Sequence, residues 1–239
     1  MKTAKLYLRS LIANIYFYPA LTLGLSLTVI VGLINRKKMP YIWDNYIMPP
    51  ILNVMLKLSG MEIEVRGKEY MSRDVIYASK HESALETYAL PSIIQHSVFV
   101  LKKELTYVPI FGWAQALYGM IPVDRSAGAK AMKSMLAQAK KRIDEGRTLV
   151  IFPEGTRCKH LEVKGYKTGV LFIAESLNKD IVPVALNTGL RWGKASFLRH
   201  PGKIIFEFLP PMKVSDFKSK KEFMAELENR IETACKKMD

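Results

Sequence analysis

The first apolar segment of the chain lies near its N-terminus. No charged residue occurs from Ser10 to Asn35, and most residues in this stretch are apolar. About 20 apolar residues in a helix match the ~30 Å hydrocarbon core of a bilayer. Pro19 and Gly24 make a bend easier inside the segment, and basic residues flank both ends. The pattern therefore predicts either a helix that spans a membrane or a re-entrant helical hairpin in its plane.

The residues that follow favour the membrane surface. Tyr41, Trp43 and Tyr46 come soon after the apolar run, and Ile51–Leu58 has the pattern of an amphipathic helix. Each aromatic side chain alone would suit packing against a domain equally well, so the expectation depends on the whole tract. The apolar run is too long for a signal peptide core, and we expect it to be retained. Residues 1–60 are predicted to form membrane-anchoring helices, and residues 61–239 a folded domain.

Beyond residue 60 the apolar residues occur in short runs rich in β-branched and aromatic side chains, which are typical of strands. The runs are Glu62–Arg66, Val75–Ser79, Val98–Leu101, Thr148–Phe152, Ile181–Leu186 and Ile204–Phe208. Helical patterns separate several of them, the clearest from Ala127 to Glu145, and another extends from Ser219 to about Lys237. The alternation predicts one α/β sheet domain, with no sign of a second independent domain.

The charge of the chain favours anionic partners. Lysine and arginine number 36 against 22 aspartate and glutamate residues, which gives a formal net charge of +14. Nucleic acid, an acidic membrane surface and phosphorylated substrates are all consistent with that charge. The two cysteines, Cys158 and Cys235, lie in no CxxC or Cys/His cluster, so neither a disulfide framework nor a zinc site is indicated. A reducing, cytoplasm-facing location is the simpler interpretation.

A histidine and an acid follow the second predicted strand. His81 lies just past Ser79, at the carboxyl end of a strand, where open α/β sheets bind ligands. Glu86 would lie about 140° away on a continuous helix, so the two meet only if His81 precedes the helix. Glu86 would then fix the tautomer of His81 and leave one ring nitrogen to take a proton. Since no GxSxG motif is present, direct attack by a substrate hydroxyl is the economical mechanism.

Such a pair is common in structural roles, and cations nearby strengthen the catalytic interpretation. The turn Pro153–Arg157 combines a carboxylate, a glycine and a guanidinium, and arginine is suited to bidentate binding of phosphate. Arg125 precedes the long predicted helix, whose N-terminus favours anions, although pairing of Arg125 with Asp124 is an equal alternative. The stretch Lys164–Gly169 adds two lysines beside glycines, which are more often simply solvated surface.

These blocks together resemble the glycerolipid acyltransferase family, and in particular its bacterial 1-acylglycerol-3-phosphate acyltransferases. The family's His-x4-Asp block is similar to His81 and Glu86, with glutamate in place of aspartate. Its second block, which ends in arginine, is matched by Gly119–Arg125. The third, F-P-E-G-T-R, is present unchanged as Phe152–Arg157, and the V-P-V strand fits Val182–Val184. The resemblance covers roughly residues 75 to 190.

The resemblance implies a reaction and a site. His81 would deprotonate the sn-2 hydroxyl of lysophosphatidic acid, which would attack the thioester of acyl-CoA or acyl-carrier protein and give phosphatidic acid for phospholipid synthesis. Glu86 would orient His81. The substrate-binding residues implied are Arg125, Glu154, Gly155, Thr156, Arg157 and Lys167. No metal or redox cofactor is implied, since thioester acyl transfer needs a base and charge stabilisation. The fold implied is a largely parallel sheet flanked by helices, with an N-terminal helical membrane anchor.

The same resemblance sets the expected location and the alternatives. We expect an enzyme of the inner, cytoplasmic membrane whose catalytic domain faces the cytoplasm and whose basic surface meets anionic membrane lipids. Another lyso-lipid, such as a lyso-ornithine lipid, is the main alternative acceptor. A basic membrane-surface or nucleic-acid binding protein without catalysis would explain the charge, but it would leave the ordered blocks unexplained. We therefore expect no nucleic-acid partner.

Overall fold

A long helix opens the computed structural model, which describes residues 2–238. Helix α1 runs without interruption from Lys2 to Ile34 and contains Pro19. The part Thr3–Ile34 is long and apolar enough to cross a membrane, by its length and composition. The chain does not reverse within residues 10–35, so the hairpin alternative is wrong for this segment. A single backbone donor is missing at Pro19, and the bonds of the neighbouring turns keep the helix continuous.

The chain reverses after α1 instead. Helix α2, Met39–Ile42, is followed by a π-helix, Trp43–Ile47, and by α3, Met48–Ser59, which packs along α1. Gly24 lies where the two long helices touch, and a Cβ atom there would come within 2.8 Å of the Ile51 side chain. The absence of a side chain at Gly24 therefore lets α1 and α3 pack closely.

Much of the surface of α1 is apolar and exposed. Its hydroxyl side chains Thr22, Ser26 and Thr28 each donate a hydrogen bond to the carbonyl four residues earlier, at 2.8 to 2.9 Å. Such bonds satisfy a hydroxyl without water, as a hydrocarbon environment requires. The exposed large apolar residues of α1 are Tyr7, Leu8, Leu11, Ile12, Ile15, Tyr18, Leu23, Leu27, Ile30, Leu33 and Ile34. Helix α1 is therefore a candidate membrane anchor.

Within the described residues, seven strands form one sheet in the order β1-β7-β6-β2-β5-β3-β4. The strands are β1 Met61–Arg66, β2 Val75–Ser79, β3 Ser97–Lys102, β4 Ile121–Val123, β5 Thr148–Ile151, β6 Asp180–Leu186 and β7 Gly202–Phe208. Neighbouring strands are parallel except β6 and β7, which are antiparallel. The remaining α-helices are α4 Leu85–Ile93, α5 Phe111–Tyr118, α6 Gly128–Asp144, α7 Gly169–Leu177, α8 Thr188–Arg191 and α9 Lys220–Cys235.

The predicted elements agree closely with this architecture. All six predicted strands are present, and the two predicted helices correspond to α6 and α9. Strand β4 was not predicted, because it is only three residues long and contains Pro122, which cannot donate to a strand ladder. The antiparallel pairing of β7 with β6 was also not predicted, since a strand's direction depends on the path of the whole connection.

The parallel strands at the centre of the sheet bring several of the sequence blocks described above to one edge. Strand β2 pairs with β5 on one side and with β6 on the other, all three parallel. Their carboxyl ends therefore lie side by side, and the chain leaves them towards His81, Phe152 and Asn187 respectively. This edge is the place where an open α/β sheet binds ligands.

The N-terminal helices share the core of the sheet domain. Phe17, Leu21 and Leu25 of α1 are buried in the same apolar cluster as the central strands. A buried arginine also joins the two parts: Arg199 stacks on Trp192, with its guanidinium carbon 3.7 Å from the ring centroid, and donates to the side chain of α1 residue Asn14 at 2.6 Å. The division of the chain at residue 60 stays a prediction.

Candidate active site

The turn between β2 and α4 brings His81 and Glu86 together. Since α4 begins at Leu85, His81 lies before the helix, as contact between the two side chains requires. His81 Nδ1 is 2.7 Å from Glu86 Oε1, a distance typical of a charge-assisted hydrogen bond. When Nδ1 carries the proton, the other ring nitrogen, Nε2, is the one that can accept a proton from a ligand. The arrangement suits a general base held by a carboxylate.

The carboxylate of Glu86 is buried, and both of its oxygens accept hydrogen bonds. Besides His81, Oε1 accepts from the backbone N–H groups of Glu82 at 2.8 Å and Ser83 at 2.7 Å. The second oxygen, Oε2, accepts from Thr188 Oγ1 at 2.8 Å. These donors replace the hydrogen bonds to water that the carboxylate loses when it is buried.

His81 is held through its ring and its backbone. The imidazole stacks on Phe152, with ring centroids 4.1 Å apart and planes inclined by 20°. The backbone N–H of His81 donates to Glu154 Oε2 at 2.8 Å, and its carbonyl accepts from the Cys158 N–H at 2.8 Å. The side chain is 16% exposed and lines the cavity described below. Only one side of the ring is thus available to a ligand.

A buried ion-pair network lies behind His81. Lys80 Nζ is 2.7 Å from Glu154 Oε1 and 2.7 Å from Glu232 Oε1, and all three side chains are nearly or fully buried. Burial alone would lower the pKa of Lys80, but its hydrogen bonds to Glu154 and Glu232 raise that pKa above the ordinary value. Lys80 therefore stays charged and balances the two carboxylates.

This network corrects the expectation for Glu154. The family resemblance implied that Glu154 binds substrate, but its side chain is buried and is not part of the cavity lining. The carboxylate points to Lys80 and to the backbone of His81 instead. A carboxylate in a dry interior needs a cation and an N–H donor. Lys80 and the backbone of His81, just after β2, supply them.

A cavity of about 630 Å³ opens in front of His81. Four cationic side chains lie in its lining: Lys102, Arg125, Arg157 and Lys167. No carboxylate of the described residues 2–238 is part of that lining. The rest is mostly apolar and includes Leu25, Trp43, Tyr88, Phe99, Leu101, Phe111, Tyr118, Met120, Met132, Met135 and Ile151. The cavity therefore suits a ligand with an anionic group and a hydrocarbon chain.

The turn after β5 places three of the predicted residues at this cavity. Gly155, Thr156 and Arg157 all line it. Gly155 has φ of +69°, and a Cβ atom there would lie 3.0 Å from Lys167 Nζ, so glycine suits both the backbone and the packing. The carbonyl of Gly155 accepts a hydrogen bond from Arg125 Nη1. The structure thus brings Arg125, Arg157 and Lys167 to one turn.

Neither cysteine is suited to act as a nucleophile. Burial, with a contribution from the nearby Glu154, raises the pKa of the Cys158 thiol to about 12. Burial likewise raises the pKa of Cys235 to about 12. Both thiols are protonated near neutral pH, whereas thiol nucleophiles react as thiolates. A thiol nucleophile activated by His81 is therefore not indicated by either cysteine.

Sequence reasoning missed several residues of the site. Lys102 is the fourth cation of the cavity, and Lys80 and Thr188 lie behind the histidine and the glutamate. Lys102 is one of two adjacent lysines at the end of β3, and such lysine pairs usually lie on the solvated surface. Thr188 directly follows β6, and its position after a central parallel strand was the available signal.

Comparison with known proteins shows the family. A family model described as Acyltransferase matches residues 62–187, more than half of the chain, and the chain belongs to this acyltransferase family. The 1-acyl-sn-glycerol-3-phosphate acyltransferase of Pseudomonas aeruginosa is 36% identical over 156 residues, which are 65% of this chain and 61% of that protein. The enzyme of the same name from Limnanthes alba is 31% identical over 166 residues, 69% of this chain and 59% of that protein.

Two further likenesses cover more of the chain. The lyso-ornithine lipid O-acyltransferase of Rhodobacter capsulatus is 29% identical over 236 residues, 87% of this chain and 83% of that protein. The crystal structure of the 1-acyl-sn-glycerophosphate acyltransferase of Thermotoga maritima matches with a TM-score of 0.77 at 20% identity, and covers 97% of this chain and 98% of that one. The latter match confirms the predicted fold class.

Proposed function

We propose that this protein transfers a fatty acyl group to the sn-2 hydroxyl of 1-acylglycerol-3-phosphate and forms phosphatidic acid. The observation that carries the proposal is the composition of one cavity: a histidine–carboxylate pair at its wall, four cations, no lining carboxylate among the described residues, and an otherwise mostly apolar surface. A lysophospholipid needs all of these features, because it combines a hydroxyl, a phosphate and a hydrocarbon chain. The matched relatives carry the name of this activity.

The chemistry follows from the position of His81. The ring nitrogen Nε2 takes the proton of the acceptor hydroxyl as its oxygen attacks the thioester carbonyl of the donor. The imidazolium that forms is stabilised by Glu86, whose charge lies 2.7 Å from Nδ1. When the tetrahedral intermediate collapses, the C–S bond breaks and the sulfur leaves with the proton from His81. The products are an ester and a free thiol, and we expect activity to persist in excess chelator.

The cations of the cavity bind the acceptor's phosphate. Arg157 and Arg125 offer planar guanidinium groups suited to bidentate contact, and Lys167 adds a point charge beside Gly155. Thr156 contributes a hydroxyl at the same turn. Glu154 acts from behind, by holding the backbone of His81. The noncatalytic alternative, a basic binding protein, gives no account of this arrangement.

The donor and the location belong to the same proposal. The donor is acyl-CoA or acyl-carrier protein, and the enzyme acts at the cytoplasmic membrane with its catalytic domain facing the cytoplasm. The exposed apolar surface of α1 anchors the protein, and the net charge of +14 attracts anionic lipid. Salt screens charge but not apolar contact, so raised ionic strength should weaken substrate capture more than membrane attachment. Equal losses would contradict this division of roles.

One alternative acceptor has an observation in its favour. The lyso-ornithine lipid acyltransferase aligns with 87% of this chain, whereas the two 1-acyl-sn-glycerol-3-phosphate acyltransferases align with 65% and 69%. An ornithine head group carries a cationic amine beside its carboxylate, whereas a phosphate is anionic only, so a cavity with four cations and no lining carboxylate suits the phosphate better. The electrostatics of the cavity therefore favour lysophosphatidic acid.

The test is acyl transfer by membranes that contain the protein, with labelled acyl-CoA or acyl-carrier protein as donor and lysophosphatidic acid or lyso-ornithine lipid as acceptor. Membranes with His81→Ala serve as the blank. We expect labelled phosphatidic acid from the wild type and at least ~100-fold less from the variant, the loss typical when a general base is removed. Transfer only to lyso-ornithine lipid would replace the proposed acceptor. Undiminished activity of the variant would overturn the role of His81.

A further inference from the structure

The turn that follows β6 lies directly behind the catalytic carboxylate. Thr188 Oγ1 donates to Glu86 Oε2 at 2.8 Å, and both side chains are fully buried. The other oxygen, Oε1, is shared by His81 and by two backbone N–H groups. Thr188 is therefore the side chain that fixes the oxygen of Glu86 facing away from the histidine.

We propose that Thr188 is a positioning residue for acyl transfer, and that Thr188, Glu86 and His81 act as one hydrogen-bonded relay. The proposal rests on the function proposed above. The last torsion of a glutamate side chain is broad, so a carboxylate bonded through one oxygen can rotate. A donor on Oε2 holds the carboxylate plane, and with it the oxygen that receives His81 Nδ1–H. Fixing that bond keeps Nε2 of His81 unprotonated and directed at the substrate hydroxyl.

The turn itself is held rigidly on three sides. Asn187 accepts from the Ile205 N–H at 2.8 Å and donates to the Met238 carbonyl at 3.1 Å. On the other side of Thr188, the Gly189 N–H donates to Glu82 Oε2 at 2.8 Å. A Cβ atom at Gly189 would lie 2.9 Å from that same carboxylate oxygen. The hydroxyl of Thr188 is thus presented by a backbone that cannot shift without breaking bonds to β7 and to Glu82.

The length of the acid matches this arrangement. Position 86 carries glutamate, whose side chain is one methylene longer than that of aspartate, so its carboxylate reaches further by about one C–C bond, ~1.5 Å. On this backbone the longer side chain reaches both His81 and Thr188. An aspartate would keep at most one of the two contacts without a backbone shift. Thr188 and Glu86 should therefore be energetically coupled.

The first test compares variants at Thr188 in acyl transfer to lysophosphatidic acid. Thr188→Val keeps the volume and removes the donor, and Thr188→Ser keeps the donor and removes a methyl group. We expect Val to lower kcat about 10- to 100-fold, the range for a lost hydrogen bond to a charged group, with KM changed less than about twofold. Ser should restore kcat to within about threefold of the wild type. Equal losses in Val and Ser would indicate packing and overturn the proposal.

A double-mutant cycle tests the match between the two side chains. In the Glu86→Asp background the shortened carboxylate no longer bridges Thr188 and His81, so Thr188→Val should change kcat by less than about threefold. The same large factor in both backgrounds would overturn the relay. If Thr188→Val does not fold, Thr188→Cys replaces it. Because a thiol is a weak donor, we expect the kcat of the Cys variant to be lower than that of Thr188→Ser and higher than that of His81→Ala. A Cys variant as active as Ser would contradict the need for a strong donor.

A measurement without substrate separates this inference from the proposed function. In protein labelled with ¹⁵N at histidine, the ring nitrogens of His81 are identified by their loss in His81→Gln. We expect one Nδ1–H tautomer in the wild type and in Thr188→Ser, and a mixture of tautomers in Thr188→Val. An unchanged spectrum in Thr188→Val would overturn the positioning role, whatever the acceptor. Absence of transfer to lysophosphatidic acid with the expected spectra would instead overturn the proposed function alone.

Discussion

The wall behind His81 and the cavity in front of it use charge in opposite ways. Behind the histidine, Glu86, Glu154 and Lys80 are buried, and each meets an oppositely charged or hydrogen-bonding partner within 3 Å. In front, Arg125 and Arg157 lie with two lysines in a lining to which the described residues contribute no carboxylate. Paired charges in a dry interior fix geometry, whereas cations facing an open cavity are available to an anionic ligand. Under the proposed function, the difference separates the groups that would orient the base from those that would bind the substrate.

The largest expected effect is at the wall. Glu86→Gln keeps the shape and removes the negative charge that stabilises the imidazolium of His81. We expect kcat to fall about 100- to 1,000-fold with little change in KM, since the charge matters only when the ring is protonated. The kinetics of acyl transfer to lysophosphatidic acid measure this. Glu64→Gln, at an exposed pair with Arg66, is the matched control and should keep wild-type kcat. A fall in kcat of less than tenfold in Glu86→Gln would contradict the separation of orienting groups behind His81 from binding groups in front of it.

A large effect on stability, rather than on rate, is expected from breaking the buried network. Lys80→Met leaves the carboxylates of Glu154 and Glu232 without their cation and should lower the free energy of unfolding by about 3–5 kcal/mol. Lys140→Met removes an exposed ion pair with Asp144 and should cost at most about 1 kcal/mol. Denaturant unfolding of both variants in detergent gives the comparison. Similar losses would show that the buried network is no more important than a surface pair.

Another buried carboxylate, beside the apolar end of the cavity, sharpens the comparison. Asp44 is buried and accepts from Tyr118 at 2.6 Å and from the His96 N–H at 3.1 Å, but it has no direct ion pair within the described chain. Burial therefore raises the pKa of Asp44 to about 6, although these bonds oppose the rise. The folded state binds this proton more tightly than the unfolded chain does. The contribution of the proton to the free energy of unfolding is therefore fully present below about pH 4 and is lost as the pH rises through 6.

The pH dependence of Asp44→Asn checks that sign. An amide can turn its oxygen to the His96 N–H and its nitrogen to Tyr118, and it does not titrate. Between pH 4 and 7 the wild type should lose up to about 3 kcal/mol of unfolding free energy relative to the variant, from roughly two pKa units. Unfolding measured at several pH values gives the difference. A difference that is constant with pH would mean that Asp44 is not the group responsible.

The smallest effect is expected in front of the histidine. Arg157→Ala leaves three other cations in the cavity, so KM for lysophosphatidic acid should rise about tenfold while kcat changes little. Arg157→Lys keeps the charge without the bidentate geometry and should give an intermediate KM. Steady-state kinetics at fixed salt concentration distinguish these variants. A fall in kcat at unchanged KM would place Arg157 with the wall rather than with the substrate.

The sequence predicted the local elements of the domain and most of the cavity's charged residues. The six strands other than β4 are visible in the sequence as runs of apolar residues. His81 follows one of these strands, and Arg157 lies in the turn after another. Strand β2 was predicted with the bounds that the structure shows. Strand ends and helix starts depend on neighbouring residues, so local patterns are sufficient to locate them.

Other features depended on contacts between distant parts of the chain. Whether Glu154 faces the cavity or the interior depends on Lys80 and Glu232, which are 74 and 78 positions away in sequence and meet it only in the folded sheet. The contact of Thr188 with Glu86 likewise requires β6 to lie beside β2. The sequence by itself therefore determined which residues end the strands and carry the charge. Only the tertiary structure decided which charges are paired and buried, because desolvation and pairing are properties of the neighbours that folding brings together.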